Sequence, residues 1–195
     1  ELVVVSRDNK TYASAKKVAP TLQKALENWS AHQPQLEQIY KDLNSGQCKE
    51  ALPVDENKFH SPLPRAYQWA DGSAFLHHVK LVRQARNAPM PESLFEVPLI
   101  YQGGSDSFLA PREDIPQIDF SHGTDFEGEV GVITDFVPMG STPEQALEKV
   151  RLIVIINDVS LRGLIPEEIA AGFGFFQGKP SSAFASFAVT PDELG

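Results

Sequence analysis

Cysteine is almost absent from this 195-residue chain: Cys48 stands alone. An internal disulfide is therefore impossible, and a thiolate zinc cage has too few ligands. Long apolar runs are missing too. The longest purely aliphatic stretch, Leu152 to Ile156, is far short of the roughly 20 residues a spanning helix requires. Basic charge is also scarce, with 17 Lys and Arg against 26 Asp and Glu and a net charge of −9. That balance lacks the positive field that binding to phosphate backbones or anionic lipid demands. The expected protein is cytoplasmic, with no nucleic acid and no membrane among its partners. What is present is ordinary globular composition, 42% apolar and 22% charged, which excludes disorder.

The charge is unevenly spread. Up to Arg65 the chain carries 9 basic and 8 acidic residues, and beyond it 8 basic and 18 acidic. Pro53, Pro62 and Pro64 lie near this change in a stretch without periodicity, as a linker does. The reading is a small N-terminal α/β domain and linker over residues 1–60, then a second domain over 61–195. The chain opens on Glu1 inside a strand-like run, Leu2 to Val5, and stops just after a turn signal, so both ends are expected to be cut.

Leu22, Ala25, Leu26 and Trp29 fall at helical spacing, as do Leu36, Ile39, Tyr40 and Leu43, predicting two amphipathic helices with Gly46 past the second. Asp71-Gly-Ser73 reads as a capping sequence for a helix from about Ser73 to Arg86. Thr142-Pro-Glu-Gln145 reads as a capping box. Strands are expected at Val97–Gln102, Ser107–Ala110, Phe126–Phe136, Arg151–Asn157 and Phe184–Thr190. The fold class is α+β, with a mainly β second domain.

Between Glu113 and Asp135 there are seven acids and no Lys or Arg. A solvated face is the ordinary account of such a run. Within it, however, Glu127 and Glu129 share one face of a strand by its period of two, and adjacent carboxylates repel unless a proton or a cation intervenes. Asp158 follows an apolar strand directly and reads either as a turn residue or as a third site acid; Asp71 reads as a cap or as a fourth. Together Asp71, Glu127, Glu129 and Asp158 form an all-oxygen donor set suited to Mg²⁺, Ca²⁺ or Mn²⁺ rather than zinc. His78, seven residues after Asp71, can share a side of one helix with it and act as general base; a partly buried helical histidine with a local partner is the plainer reading. Arg162 and Lys179 supply the cations, and Lys179, between Gly178 and Pro180, can balance carboxylates or hold a substrate oxygen.

The ordered series Phe126-Glu-Gly-Glu-Val-Gly-Val-Ile133, Ile156-Asn-Asp-Val-Ser-Leu-Arg162, Phe176-Gln-Gly-Lys179 and Val189-Thr-Pro-Asp-Glu-Leu194 resembles the fumarylacetoacetate hydrolase family. The resemblance runs from about residue 60 to the end, and the upstream part is similar to the small N-terminal domain of bacterial members. It implies a mixed β-roll, incomplete here because the chain stops before the C-terminal part, and a homodimer. It also implies a divalent metal held by Asp71, Glu127, Glu129 and Asp158, water activated by His78, and an oxo-acid substrate held by Tyr101, Arg162 and Lys179. The implied reaction is hydrolysis of a C–C bond in a β-diketone, fumarylacetoacetate to fumarate and acetoacetate. Departures fall at Ser73, Ile165 and Ala183, where the hydrolase has a tyrosine, a glutamine and a metal-site threonine. The acid that orients the histidine in the hydrolase belongs to the part beyond this chain's end. An oxo-acid decarboxylase or hydratase of the same superfamily, and an inactive metal-binding module, are the competing expectations.

Overall fold

The structure is a computed structural model that describes residues 1–85 and 87–195. It begins with two strands, β1 (Val3–Val5) and β2 (Thr11–Ser14), paired antiparallel as expected from the opening valine run. Two helices follow, α1 (Leu22–Leu26) and α2 (Trp29–Asn44). The Thr21 side chain caps α1 by accepting from the Lys24 N–H at 3.2 Å. Trp29 does not close the first helix as its spacing predicted; it opens the second, because the chain breaks at Asn28 (φ −146°). Gly46 follows α2 with φ +72°, the left-handed conformation that glycine adopts without a Cβ penalty. A short strand β3 (Leu52–Pro53) then completes the first sheet against β2.

The second part starts with a strand where a cap was expected. Asp71 lies in β4 (Trp69–Gly72), paired antiparallel with β5 (Ile100–Gly103), so that Asp71 stands opposite Tyr101. Helix α3 (Leu76–Ala85) begins three residues later than predicted, and Arg86 lies outside the described residues. Asp71 and His78 are thus on different elements, which corrects the expectation that they share a helix. Two-residue β6 (Thr124–Asp125) and the long β7 (Gly128–Thr134) follow. The capping box opens α4 (Pro143–Leu147) in both directions: the Gln145 N–H donates to Thr142 Oγ1 at 3.3 Å, and the Thr142 N–H to Gln145 Oε1 at 2.9 Å. Then come β8 (Val150–Asn157), β9 (Ser160–Leu161), a helix α5 (Ile165–Ala170) that the sequence did not announce, and β10 (Ala183–Phe184).

Strand β8 is central, between β7 and β10, and β6 pairs with β9. Two of the expected strands are reduced. Ser107–Ala110 contributes one bridge, Leu109 to Ala183, and beyond β10 the stretch Phe184–Thr190 contributes one more, Val189 to Ile153. These short segments take their ladder partners from far along the chain, which local patterning does not encode.

Register places the site. Across β7 and β8, Ile133 faces Leu152, Gly131 faces Val154 and Glu129 faces Ile156. One face of the pair therefore changes character along its length. At the Ile133 end, Leu152 packs with Leu26 and Trp29, and around them Leu22, Leu36, Leu63 and Ala188 close a hydrophobic core that joins the two helices to the sheet. At the other end the same face carries the glutamates. Between them Gly131 leaves room for Ile156, whose Cδ1 would lie 2.4 Å from any added Cβ. The opposite face exposes Val130, Val132 and Ile155. Among the described residues no helix is long and apolar enough to cross a membrane.

The β4–β5 pair is held by an aromatic cover. The Trp69 indole lies across Gly103, where a Cβ would come within 1.9 Å of Nε1, and the ring packs edge-on against Tyr101 and Phe184. Gly103→Ala must displace that indole. The expected cost is about 1–3 kcal/mol, read as a lower urea midpoint with an unchanged m-value.

Candidate functional site

The acidic end of β7 meets the end of β8 through one backbone bond and one bond from backbone to side chain. The Asp158 N–H donates to the Glu127 carbonyl at 2.9 Å, and the Glu127 N–H to Asn157 Oδ1 at 3.3 Å. This brings two carboxylates that are 31 positions apart to one place, both buried, with Asp158 fully enclosed. The β4–β5 ladder adds Asp71 and Tyr101 from the other side. The Tyr101 hydroxyl donates to Asp158 Oδ2.

Lys179 occupies the middle. Its Nζ donates to Asp158 Oδ2 at 2.7 Å, to Ser160 Oγ at 2.7 Å and to Glu127 Oε2, and lies 5.2 Å from the centroid of the Tyr101 ring. An ammonium with a 7% exposed side chain can be tolerated only with such partners. Arg162 reaches Glu127 from the rim and donates its Nε to Asp125 Oδ2 at 3.0 Å. His78 on α3 places Nε2 3.6 Å from Glu127 Oε1, while its neighbour His77 is exposed.

The carboxyls divide into two classes. Burial alone pushes Glu127 up, but Lys179 and Arg162 together outweigh it and hold its carboxyl below the usual range. At Asp71 the charge of Lys179 is too weak to do the same. Burial, then the charges of Asp158 and Glu129, push it up to about 6. Glu129 is likewise raised, by burial first and by Glu127 next. Tyr101 is raised strongly, by burial and by its bond to Asp158. The site therefore carries more negative charge than its two cationic side chains neutralise.

All eight residues expected from the sequence fall in this region, linked by contact or by charge: Asp71, His78, Tyr101, Glu127, Glu129, Asp158, Arg162 and Lys179. Three further residues belong with them. Asp125 holds Arg162, Ser160 receives Lys179, and Ser182 Oγ donates to Asp158 Oδ1 at 3.1 Å. Asp125 was within reach of the period-two argument, two residues before Glu127. Ser160 and Ser182, small polar residues in a loop-rich region, carried no comparable signal. Of the departures, Ile165 is buried, 3% exposed, with Cγ1 close against Gly178.

Residues 1–65 match the fumarylacetoacetase N-terminal domain 2 family, and residues 68–195 match the fumarylacetoacetate (FAA) hydrolase C-terminal family. The chain belongs to the fumarylacetoacetate hydrolase family. Among solved structures, a protein of Mycobacterium smegmatis provisionally assigned as HpcE shares the fold at 19% identity with a TM-score of 0.72, over 98% of this chain. A second, Cg1458 with inhibitor, gives a TM-score of 0.50 at 16% identity over 75% of this chain. The chain spans 64% and 49% of the lengths of these two proteins. A comparison with curated proteins finds no match.

Enzymes of the fumarylacetoacetate hydrolase family typically use divalent metal ions. The donor chemistry here fits one: four carboxylates, no thiolate, and two carboxyls raised by burial first and by acidic neighbours next. Their arrangement is not a closed ligand sphere. Among the described residues no three His, Cys, Asp or Glu side chains are grouped to hold a metal ion, and Glu127 is turned onto Lys179 and Arg162.

Proposed function

We propose that this site is the catalytic centre of a divalent-metal-dependent hydrolase that cleaves a C–C bond in a β-diketone oxo-acid, with fumarylacetoacetate, yielding fumarate and acetoacetate, as the first substrate to test. The observation that carries this reading is the pair of buried carboxylates, Glu127 and Asp158, held on the one Lys179 ammonium, with Asp71 and Glu129 near enough to feel their charges.

Asp71, Glu127, Glu129 and Asp158 would hold the cation, Mg²⁺ or Ca²⁺ first and Mn²⁺ next. When bound, it supplies Lewis acidity toward a substrate oxygen. His78 takes a proton from the attacking water, from its half-buried place on α3. Arg162, steadied by Asp125, faces the substrate carboxylate. Lys179, with Tyr101 beside it, faces the oxygen on which the departing enolate's charge accumulates.

Isothermal calorimetry with Mg²⁺ tests the ligand set. Glu129→Gln exchanges a charged ligand for a neutral amide of nearly the same size. Its Mg²⁺ affinity should fall by at least about 10–100-fold, with turnover lost in parallel. Equal affinity in the variant and the parent would remove Glu129 from the site.

A second reading keeps the metal site and changes the reaction to decarboxylation or hydration of an oxo-acid. It is favoured by Ile165, which stands where the resemblance puts a substrate-contacting glutamine and is instead packed under Gly178. Parallel assays of fumarylacetoacetate, oxaloacetate and a 2-oxo-enoate separate the two.

A further inference from the structure

Lys179 is a long side chain on an irregular segment, yet its ammonium meets three acceptors. Something must fix the backbone from which it projects. The segment Phe173 to Pro180 has no strand or helix of its own, and Phe173 and Phe176 on it are exposed. Just before Lys179, however, the peptide groups are bound on both sides. Glu168 Oε1 accepts the Gln177 N–H at 2.6 Å, Glu168 Oε2 accepts the Gly178 N–H at 2.8 Å, and the Gly178 carbonyl accepts the Leu161 N–H at 2.8 Å. A second observation agrees. A Cβ at Gly178 would lie 2.7 Å from Glu168 Oε2 and 2.6 Å from Ile165 Cγ1, so the glycine is what lets this backbone close onto α5.

We propose that Glu168 is a positioning residue, whose carboxylate clamps the Gln177 and Gly178 peptides and thereby delivers the Lys179 ammonium to Glu127, Asp158 and Ser160. The physical basis is bidentate acceptance by an ionised carboxylate, which fixes direction as well as distance. The same short helix begins three residues after Arg162, whose own N–H donates to the Gly123 carbonyl at 3.0 Å. One element thus ties the two cationic side chains of the site together. The role of this clamp in turnover rests on the reading of Lys179 given above; the clamp itself rests on geometry alone.

The test uses Glu168→Ala, Glu168→Gln and Gly178→Ala in the intact protein, with Lys179→Ala as the reference. Two readouts are taken: the rate at which the Lys179 amine is acylated by a hydroxysuccinimide ester, followed by peptide mass spectrometry, and kcat with KM on the oxo-acid turned over. In the parent the Lys179 side chain, 7% exposed, should be acylated slowly. Glu168→Ala and Gly178→Ala should each raise that rate about tenfold and lower kcat by roughly 10–100-fold, with KM changed less than about threefold, since a misplacement of about 1 Å has effects of this size. Glu168→Gln keeps one acceptor but sets its amide NH2 against the other backbone N–H, so it should restore the parent's protection only in part. A lower melting temperature with Lys179 still as protected as in the parent overturns the proposal, as does failure of both Glu168 variants to fold. If Lys179→Ala leaves kcat unchanged, the catalytic reading falls, and the acylation rates still decide the clamp.

Discussion

Replacing Lys179 by Met should damage both stability and turnover, and by amounts large enough to read separately. Methionine is unbranched and fills nearly the same space, so no sizeable cavity confuses the outcome. What disappears is the charge that stands between Glu127, with a 7% exposed side chain, and Asp158, with none exposed. Removing one partner of a buried ion pair costs about 3–5 kcal/mol, because the other charge stays buried without compensation. The lower end applies here. Glu127 keeps Arg162, and Asp158 keeps the hydroxyls of Tyr101 and Ser182. A urea midpoint shift equivalent to about 3 kcal/mol is therefore expected. On turnover, losing a preorganised donor aimed at a developing oxyanion lowers kcat by roughly 10²–10³-fold. A variant that keeps its kcat while losing stability would make Lys179 a structural counter-charge only, and would move the enolate-stabilising role elsewhere.

The sequence foreshadowed this arrangement unevenly, and the reasons are physical. Glu127 and Glu129 were legible because a strand has a fixed period and two acids on one face are costly without a cause. Lys179 was legible because a lysine between Gly178 and Pro180, after aromatics, has no reason to be an ordinary solvating charge. Asp71 was legible as a site acid and misread as a local element. Asp-Gly-Ser ahead of an apolar helix carries a true capping signal, and only the pairing with Tyr101, thirty residues on, turns Asp71 into a strand residue. The same limit explains β6, β9 and β10, which hold two residues each and exist because distant partners are present. Ser160 and Ser182 illustrate a different limit. Their hydroxyls matter because they face Lys179 and Asp158, and nothing about a serine in isolation reveals which neighbour it will meet. At the fold level, Thr142 with Gln145 and Gly46 after α2 behaved as written, since caps are satisfied within a few residues.

His78 gives the test that separates chemistry from binding. His78→Ala should lower kcat by roughly 10²–10⁴-fold if the imidazole is the general base, while Mg²⁺ affinity stays within about twofold, because the proposed ligands are all carboxylates. The adjacent histidine supplies the control. Successive residues on a helix point about 100° apart, and His77 is exposed where His78 turns its Nε2 toward Glu127 at 3.6 Å. His77→Ala perturbs the same turn of α3 and the same helix propensity without touching the site, so it should leave kcat unchanged. Steady-state kinetics on the pair, with calorimetric Mg²⁺ titration of each, distinguishes three cases. Loss of kcat only in His78→Ala assigns the proton transfer to that imidazole. Equal loss in both variants points to damage in α3, whose Val79 is buried beside them. Loss of Mg²⁺ affinity in His78→Ala alone would make the histidine a determinant of the acidic cluster's geometry through Glu127, and the water-activating base would then have to be sought among other groups.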